Sequence, residues 1–311
     1  MNKILVTDGL DQGGLDILSA SAQMDDRNGI SADDLLTAIP EYDALIVRGR
    51  TKVTAAVFEA AKSLKVVGRA GVGVDNIDLA AAKAHGVTVV NSPTATTVAV
   101  AELTFALMLA IAREIPRADA TMKAGKWIKK ELEGTELFGK TLGVIGFGRI
   151  GAEVGKRAAA FGMSVLGYDP LIPADEIQKR GGEPVSMADL LGRSDVITLH
   201  IPLTPESKNM VNAESIATMK DGVRIVCAAR GGVMDEAALL DGLNSGKVAA
   251  AGLDVFATEP PGATDLVMHP RVVCTPHVGA QTVEAQARAA DDIATEILAA
   301  LDGKELRWRV A

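Results

Sequence analysis

Short apolar runs recur along most of the chain: Ile4 to Val6, Ala44 to Val47, Val66 to Val67, Val87 to Val90, Leu142 to Ile145, Val165 to Leu166, Val196 to Leu199, Val223 to Val226, Ala249 to Val255 and Val272 to Cys274. Between most of them lie stretches rich in Ala, Leu and Glu, with apolar residues at helical spacing. Runs without in-out alternation mark strands buried on both faces, as in parallel sheets covered by helices. The pattern therefore predicts an α/β protein built from two doubly wound parallel-sheet domains.

Two series of strands and helices can be separated. One ends near Asn91, the second runs from Leu142 to Cys274, and an apolar helix over about Val98 to Arg113 joins them. A further helix over Thr282 to Leu301 stops at Asp302-Gly303. The expected division is 1–95 for the first part of one domain, 96–281 for the second domain, and 282–311 for a helix returning to the first. A chain of 311 residues exceeds what one core usually serves.

Composition narrows the class of partner. With 48% hydrophobic residues, 23% charged residues and a formal charge of -8, the chain reads as globular and offers no basic stripe for nucleic acid. An acidic protein that binds anions needs local cations, which makes single arginines informative. Cys227 and Cys274 are the only cysteines and lie in apolar runs, so no metal site is expected, and two buried thiols in a reducing cytoplasm are. The start, Met1 to Asp8, is too short in apolar residues for a signal peptide and reads as a strand. Val98 to Ala112 contains Glu102 and falls short of the roughly 20 residues of a membrane span. No membrane association is expected.

One glycine pattern carries chemistry. Leu142 to Ile145 is a short buried strand, Gly146-Phe147-Gly148-Arg149-Ile150-Gly151 follows, and Ile150, Val154, Ala158 and Phe161 then fall at helical spacing until Gly162. In such a strand-turn-helix unit Gly146 permits the tight turn, Gly148 lets backbone amides approach a pyrophosphate, and Gly151 lets helix pack on strand. The next strand, Ser164 to Tyr168, ends at Asp169, eighteen residues beyond Gly151. An acid there binds the ribose hydroxyls and repels a 2′-phosphate, favouring NAD over NADP.

Ligands of open α/β sheets bind outside the carboxyl ends of the strands. Those ends carry His200, Arg230, Asp254 and His277, with Glu259 shortly beyond Asp254. Hydride exchange with a 2-oxo acid needs a proton donor for the forming alkoxide and a cation for the carboxylate. His277 is assigned as acid/base, Glu259 as the group that orients and stabilises its imidazolium, and Arg230 as the substrate anchor. His200 either lines the cofactor cleft or simply packs. His85 reads as a helix C-terminus and His269 as loop.

These residues resemble the D-isomer-specific 2-hydroxyacid dehydrogenases over nearly the whole chain. The likeness rests on Val47 to Thr54, Gly68 to Asn76, Gly146 to Gly151, Ala229 to Gly232, Leu253 to Phe256, Glu259-Pro260 and Pro276 to Ala280. The resemblance implies a Rossmann NAD-binding domain inserted into a split, flavodoxin-like substrate domain. It supports Arg230, Glu259 and His277 as catalytic, and implies that Val72, Arg149, Ile150, Asp169, Ile201, Ala228, Asp254 and His277 to Ala280, with Gly279 among them, border NAD. Arg48 and Arg69, with amides near Gly71, Val72 and Gly73, look like the positions that hold an anionic 2-hydroxy or 2-oxo acid. Dimers or tetramers through the Val98–Arg113 helix are implied as well.

Within the family the likeness is nearest to the branch that oxidises 3-phospho-D-glycerate to 3-phosphooxypyruvate toward serine. Reduction of glyoxylate or hydroxypyruvate, or action on sulfolactate, is the alternative; a non-catalytic NAD sensor related to corepressors is a third. Thr94 to Ala99, after Asn91-Ser92-Pro93, departs from the polar residues usual in the family at that place. Because the chain ends at Ala311, no regulatory extension and no serine feedback are expected.

Overall fold

The computed structural model describes all 311 residues. Residues 1–96 and 280–311 form one compact unit, and residues 97–279 form a second.

In the first unit, β1 (Lys3–Val6), α1 (Gln12–Ser19), β2 (Gln23–Asp26), α2 (Ala32–Ala38), β3 (Ala44–Val47), α3 (Ala55–Ala60), β4 (Val66–Arg69), α4 (Leu79–Ala84) and β5 (Thr88–Asn91) alternate along the chain. The five strands are parallel in the order β2-β1-β3-β4-β5, the order of a flavodoxin-like sheet. β3 is buried along its whole length, which is why Ala44-Leu45-Ile46-Val47 has no alternation. The edge strand β2, Gln-Met-Asp-Asp, is polar and half-exposed, and no hydrophobic pattern announced it.

The second unit holds α5 (Thr97–Ala112), α6 (Ile115–Lys123), β6 (Thr141–Ile145), α7 (Arg149–Ala160), β7 (Ser164–Tyr168), α8 (Ala174–Lys179), β8 (Glu183–Pro184), α9 (Met187–Arg193), β9 (Val196–Leu199), α10 (Ala213–Thr218), β10 (Val223–Cys227), α11 (Glu236–Ser245), β11 (Val248–Leu253) and β12 (Val272–Cys274). Its seven parallel strands run β12-β11-β10-β9-β6-β7-β8. The order reverses at β6, which pairs with β7 on one side and β9 on the other, as in the Rossmann arrangement. The two-residue edge strand β8 was also not visible as an apolar run.

α5 is apolar over most of its surface, with α7 packed on one flank and β10, β11 and β12 on the other, while Val98, Glu102 and Ala106 form an exposed stripe along it. α12 (Val283–Leu301) belongs to the first unit, where it packs on α1 and β4. Thr282 caps its first turn by accepting from the amide of Ala285, and Gly303 follows its end with φ +68°. Gly68 on β4 lets Ile293 and Ile297 of α12 sit directly on the sheet, since a Cβ there would lie 2.8 Å from Ile293. No helix is long and apolar enough to cross a membrane. Cys227 is buried as expected, but Cys274 is only half-buried, because β12 is an edge strand.

Candidate active site

The dinucleotide turn lies in the second unit between β6 and α7. Gly146 has φ +92° and approaches the carbonyl of His200 so closely that a Cβ would stand 2.6 Å from it. At Gly151 a Cβ would stand 2.0 Å from the carbonyl oxygen of Gly146, so only glycine lets α7 begin this close to the strand. Gly148 faces open space. α9, α10, α11 and α12 all begin at a side chain that accepts from a first-turn amide, but α7 begins at Gly148 with no side-chain cap. Its positive end is thus left for an external acceptor, which fits a pyrophosphate. Phe147 is fully buried, with its ring against Gly155, Gly167 and Gly182, and it pins the turn to the unit.

Asp169 follows β7 as the sequence pattern requires. Its Oδ2 accepts from the Phe147 amide at 2.8 Å, and its Oδ1 from the amides of Leu171 and Ile172 at 2.9 and 3.2 Å. One carboxylate therefore ties the turn to the loop after β7 and retains accepting capacity on Oδ2. Arg149 and Ile150 open α7, and Ile201 follows β9 in a buried position.

His200 sits at the end of β9 with its Nε2 3.0 Å from Thr198 Oγ1, and its buried Nδ1 has no partner. Burial pushes its pKa down from 6.5 to about 3, so the ring is neutral. It contributes a backbone carbonyl to the turn and carries no charge there.

The other strand ends of this unit bring two of the three proposed catalytic groups into contact. His277 Nδ1 lies 2.7 Å from Glu259 Oε2, and Glu259 Oε1 accepts from the Phe256 amide at 3.1 Å. That second bond fixes the carboxylate before it meets the imidazole. Both side chains are about half exposed (48% and 38%), so the pair is open to a ligand. With Nδ1 facing a carboxylate, Nε2 is the ring atom left to exchange a proton. Arg230 follows the Ala228-Ala229 end of β10, and its Nη1 donates to the Ala229 carbonyl at 2.7 Å. Next to it, Gly231 lies under the chain that leads to Glu259; a Cβ there would stand 1.8 Å from the Phe256 carbonyl oxygen. Asp254, 1% exposed, closes the group from beneath. Its carboxylate accepts from Thr275 Oγ1 and from the amides of Val278 and Gly279.

In the first unit Arg48 and Arg69 stand at the carboxyl ends of the adjacent strands β3 and β4. Arg48 Nη2 reaches Gln281 Oε1 at 3.4 Å. Burial lowers the pKa of its guanidinium, with Asp8 opposing. Arg69 extends over Gly71, whose missing side chain leaves the room it occupies. The Val72 carbonyl accepts from Asn91 Nδ2 at 2.6 Å, Gly73 follows it in the same loop, and Ala280 opens the C-terminal part of the unit.

Sequence reading missed what shapes the Arg48 loop. Asp8, with a side chain 4% exposed, accepts from the Arg48 amide (2.8 Å), the Thr51 amide (3.0 Å) and the Thr51 hydroxyl (2.5 Å), and pairs with Arg50. Burial alone would raise its pKa, but these bonds outweigh it and hold the carboxyl below its ordinary value. Asn76 closes the loop from the other side by donating to the carbonyls of Arg48 and Thr51. The signal was present, since Asp8 follows an apolar strand as Asp169 does.

Residues 105–279 match the family described as D-isomer specific 2-hydroxyacid dehydrogenase, NAD binding domain. The chain belongs to the D-isomer specific 2-hydroxyacid dehydrogenases, and its second unit carries the NAD-binding domain of that family. A D-3-phosphoglycerate dehydrogenase of Methanocaldococcus jannaschii is 50% identical over 305 residues, which cover 98% of this chain and 58% of the relative. A hydroxypyruvate reductase of Thermotoga maritima is 49% identical over 301 residues, covering 95% of this chain and 97% of the relative. Among solved structures, a glyoxylate reductase from Paecilomyes thermophila superposes with a TM-score of 0.92 at 30% identity, over 99% of this chain and 98% of that one. The chain spans between half and three-fifths of the length of the phosphoglycerate dehydrogenases it matches.

Proposed function

We propose that this chain interconverts a D-2-hydroxy acid and its 2-oxo acid with NAD, and that oxidation of 3-phospho-D-glycerate to 3-phosphooxypyruvate is its reaction. The observation that carries the chemistry is the 2.7 Å contact between His277 Nδ1 and Glu259 Oε2 at the carboxyl ends of an NAD-binding sheet. For the substrate, support comes from the identity to phosphoglycerate dehydrogenases over almost all of this chain.

In the oxidising direction His277 Nε2 accepts the substrate hydroxyl proton while Glu259 stabilises the imidazolium that forms. Arg230 holds the substrate carboxylate or the oxygen that becomes the carbonyl. NAD, when bound, supplies the hydride acceptor. The residues fit that group: an uncapped helix start at Gly148 for the pyrophosphate and Asp169 Oδ2 for the adenosine ribose. Arg48 and Arg69 are proposed to bind the anionic end of the substrate.

The second reading is a hydroxypyruvate reductase, favoured by the relative of that name that this chain matches over 97% of the relative's length. A panel of 3-phosphoglycerate, glycerate, lactate and sulfolactate, assayed with NAD and with NADP, separates the two. The expected result is the highest kcat/KM with 3-phosphoglycerate and NAD, and a fall of about 100-fold or more in kcat for His277→Ala. Preference for glycerate would select the second reading, preference for NADP would remove Asp169 from its role, and tight NADH binding without turnover on any acid would make the protein a sensor.

A further inference from the structure

β11 and β12 are neighbours in register, Leu253 opposite Cys274, so Asp254 and Thr275 leave the sheet side by side. Asp254 then supplies most of the backbone bonds that hold the segment beyond β12, the His277 amide being shared with the Thr275 carbonyl at 3.1 Å. Its backbone carbonyl accepts from the His277 amide at 2.9 Å, its Oδ1 from the Thr275 hydroxyl at 2.6 Å and the Val278 amide at 2.8 Å, and its Oδ2 from the Gly279 amide at 2.8 Å. Three consecutive residues, 277 to 279, are thus suspended from one buried residue.

The suspension matters because His277 has φ +52°. For a residue with a Cβ that conformation is disfavoured, and it persists only where the surroundings impose it. The direction of the His277 Cα–Cβ bond, and with it the approach of the ring to Glu259, therefore follows from how firmly the 277–279 backbone is held. Of the three donors to the Asp254 carboxylate, only the Thr275 hydroxyl is a side chain. It is also the bond that fixes the carboxylate's rotation, since it comes from the strand end and not from the loop being held.

We infer that Thr275 is a positioning residue for the His277 imidazole, acting through the buried carboxylate of Asp254. Thr275 itself is not among the residues expected to touch substrate or NAD. The dinucleotide turn begins on β6, three strands from β11, so holding His277 and holding the pyrophosphate end of the cofactor are separable. Because the inference rests on the dehydrogenase reading, its test needs one readout without turnover.

Thr275→Val keeps the shape of the side chain and removes the hydroxyl; Thr275→Ser keeps the hydroxyl. For Val the expected result is a fall in kcat of about tenfold or more, since small misplacements of a reacting group are costly, with the NADH dissociation constant within about twofold of wild type. Ser should restore kcat. Imidazole resonances of His277, identified among the four histidines by their loss in His277→Asn, should shift in the Val variant of the uncomplexed protein and return in the Ser variant. Unchanged His277 resonances in Thr275→Val overturn the inference whether or not the protein turns over. So does a variant that loses only melting temperature, or one that loses NADH affinity at unchanged kcat. If wild type turns over no 2-hydroxy acid while the resonances behave as stated, the dehydrogenase reading fails and the positioning of His277 stands.

Discussion

The imidazole of His200 sits at a strand end, where ionisable groups serve ligands, yet its Nδ1 is buried and its ring is bonded only to Thr198. Position after an apolar run identified a candidate, but burial and partner decide its role, and neither is written in the local sequence. The three protein donors that Asp254 accepts were likewise not written in the local sequence. His277 and Glu259 were legible because the chain between them, eighteen residues apart in sequence, leaves and re-enters the same sheet edge, and both side chains stay partly exposed. For His200 the consequence is a pH dependence. Its folded pKa, about 3, lies below its ordinary value of 6.5, so between those values the unfolded chain takes up a proton that the folded chain refuses. Stability is therefore lost as pH falls below 6.5, by about 2 kcal/mol from this group at pH 5. Urea unfolding at pH 7 and pH 5 should show a drop that is smaller by that amount in His200→Asn; an equal drop in both would mean that the ring protonates in the folded state.

At the scale of elements, hydrophobic pattern reports what is buried on both faces and is silent on what is not. β3, β6, β9 and β10 were visible for that reason, whereas β2 and β8 are edge strands whose pairing is carried by backbone bonds under polar side chains. Helix starts were legible where a side chain caps them, as at Thr282, and α7 was legible through the opposite feature, glycines in place of a cap. The join of β6 to α7 depends on Gly151, where an added methyl would meet the Gly146 carbonyl oxygen. Gly151→Ala should lower stability by about 1–3 kcal/mol, the usual cost of overpacking. It should also weaken NADH binding at least tenfold, because backing α7 away from β6 moves its first-turn amides from the pyrophosphate. Fluorescence titration with NADH and a melting curve check both; a loss of stability with unchanged NADH affinity would detach the helix start from cofactor binding.

For the molecule as a whole, the apolar helix expected to join protein copies also serves the core of its own unit. α5 packs inside its own unit between α7 and the strands β10, β11 and β12, and leaves Val98, Glu102 and Ala106 exposed. Apolar surface continues on the segment after it: Ile115 and Met122 on α6 are 53% and 56% exposed, and Trp127 and Phe138 beyond are 77% and 75% exposed. The Phe138 ring lies over Gly162, beside Phe161, which is 45% exposed and whose ring centroid lies 5.2 Å from that of Phe105. Single exposed apolar residues are ordinary, but aromatic side chains gathered along one segment are the composition of an interface core. A second copy of the chain is the occupant the family resemblance implies, so Ile115–Phe138 is predicted to extend the self-association surface expected of Val98–Arg113. Light scattering coupled to size exclusion should give wild type the mass of two or four chains. Trp127→Glu combined with Phe138→Glu should shift it toward one, while Met268→Glu, at a residue 68% exposed outside that segment, should not. A wild-type monomer, or a double variant that keeps the wild-type mass, would return those side chains to ordinary surface.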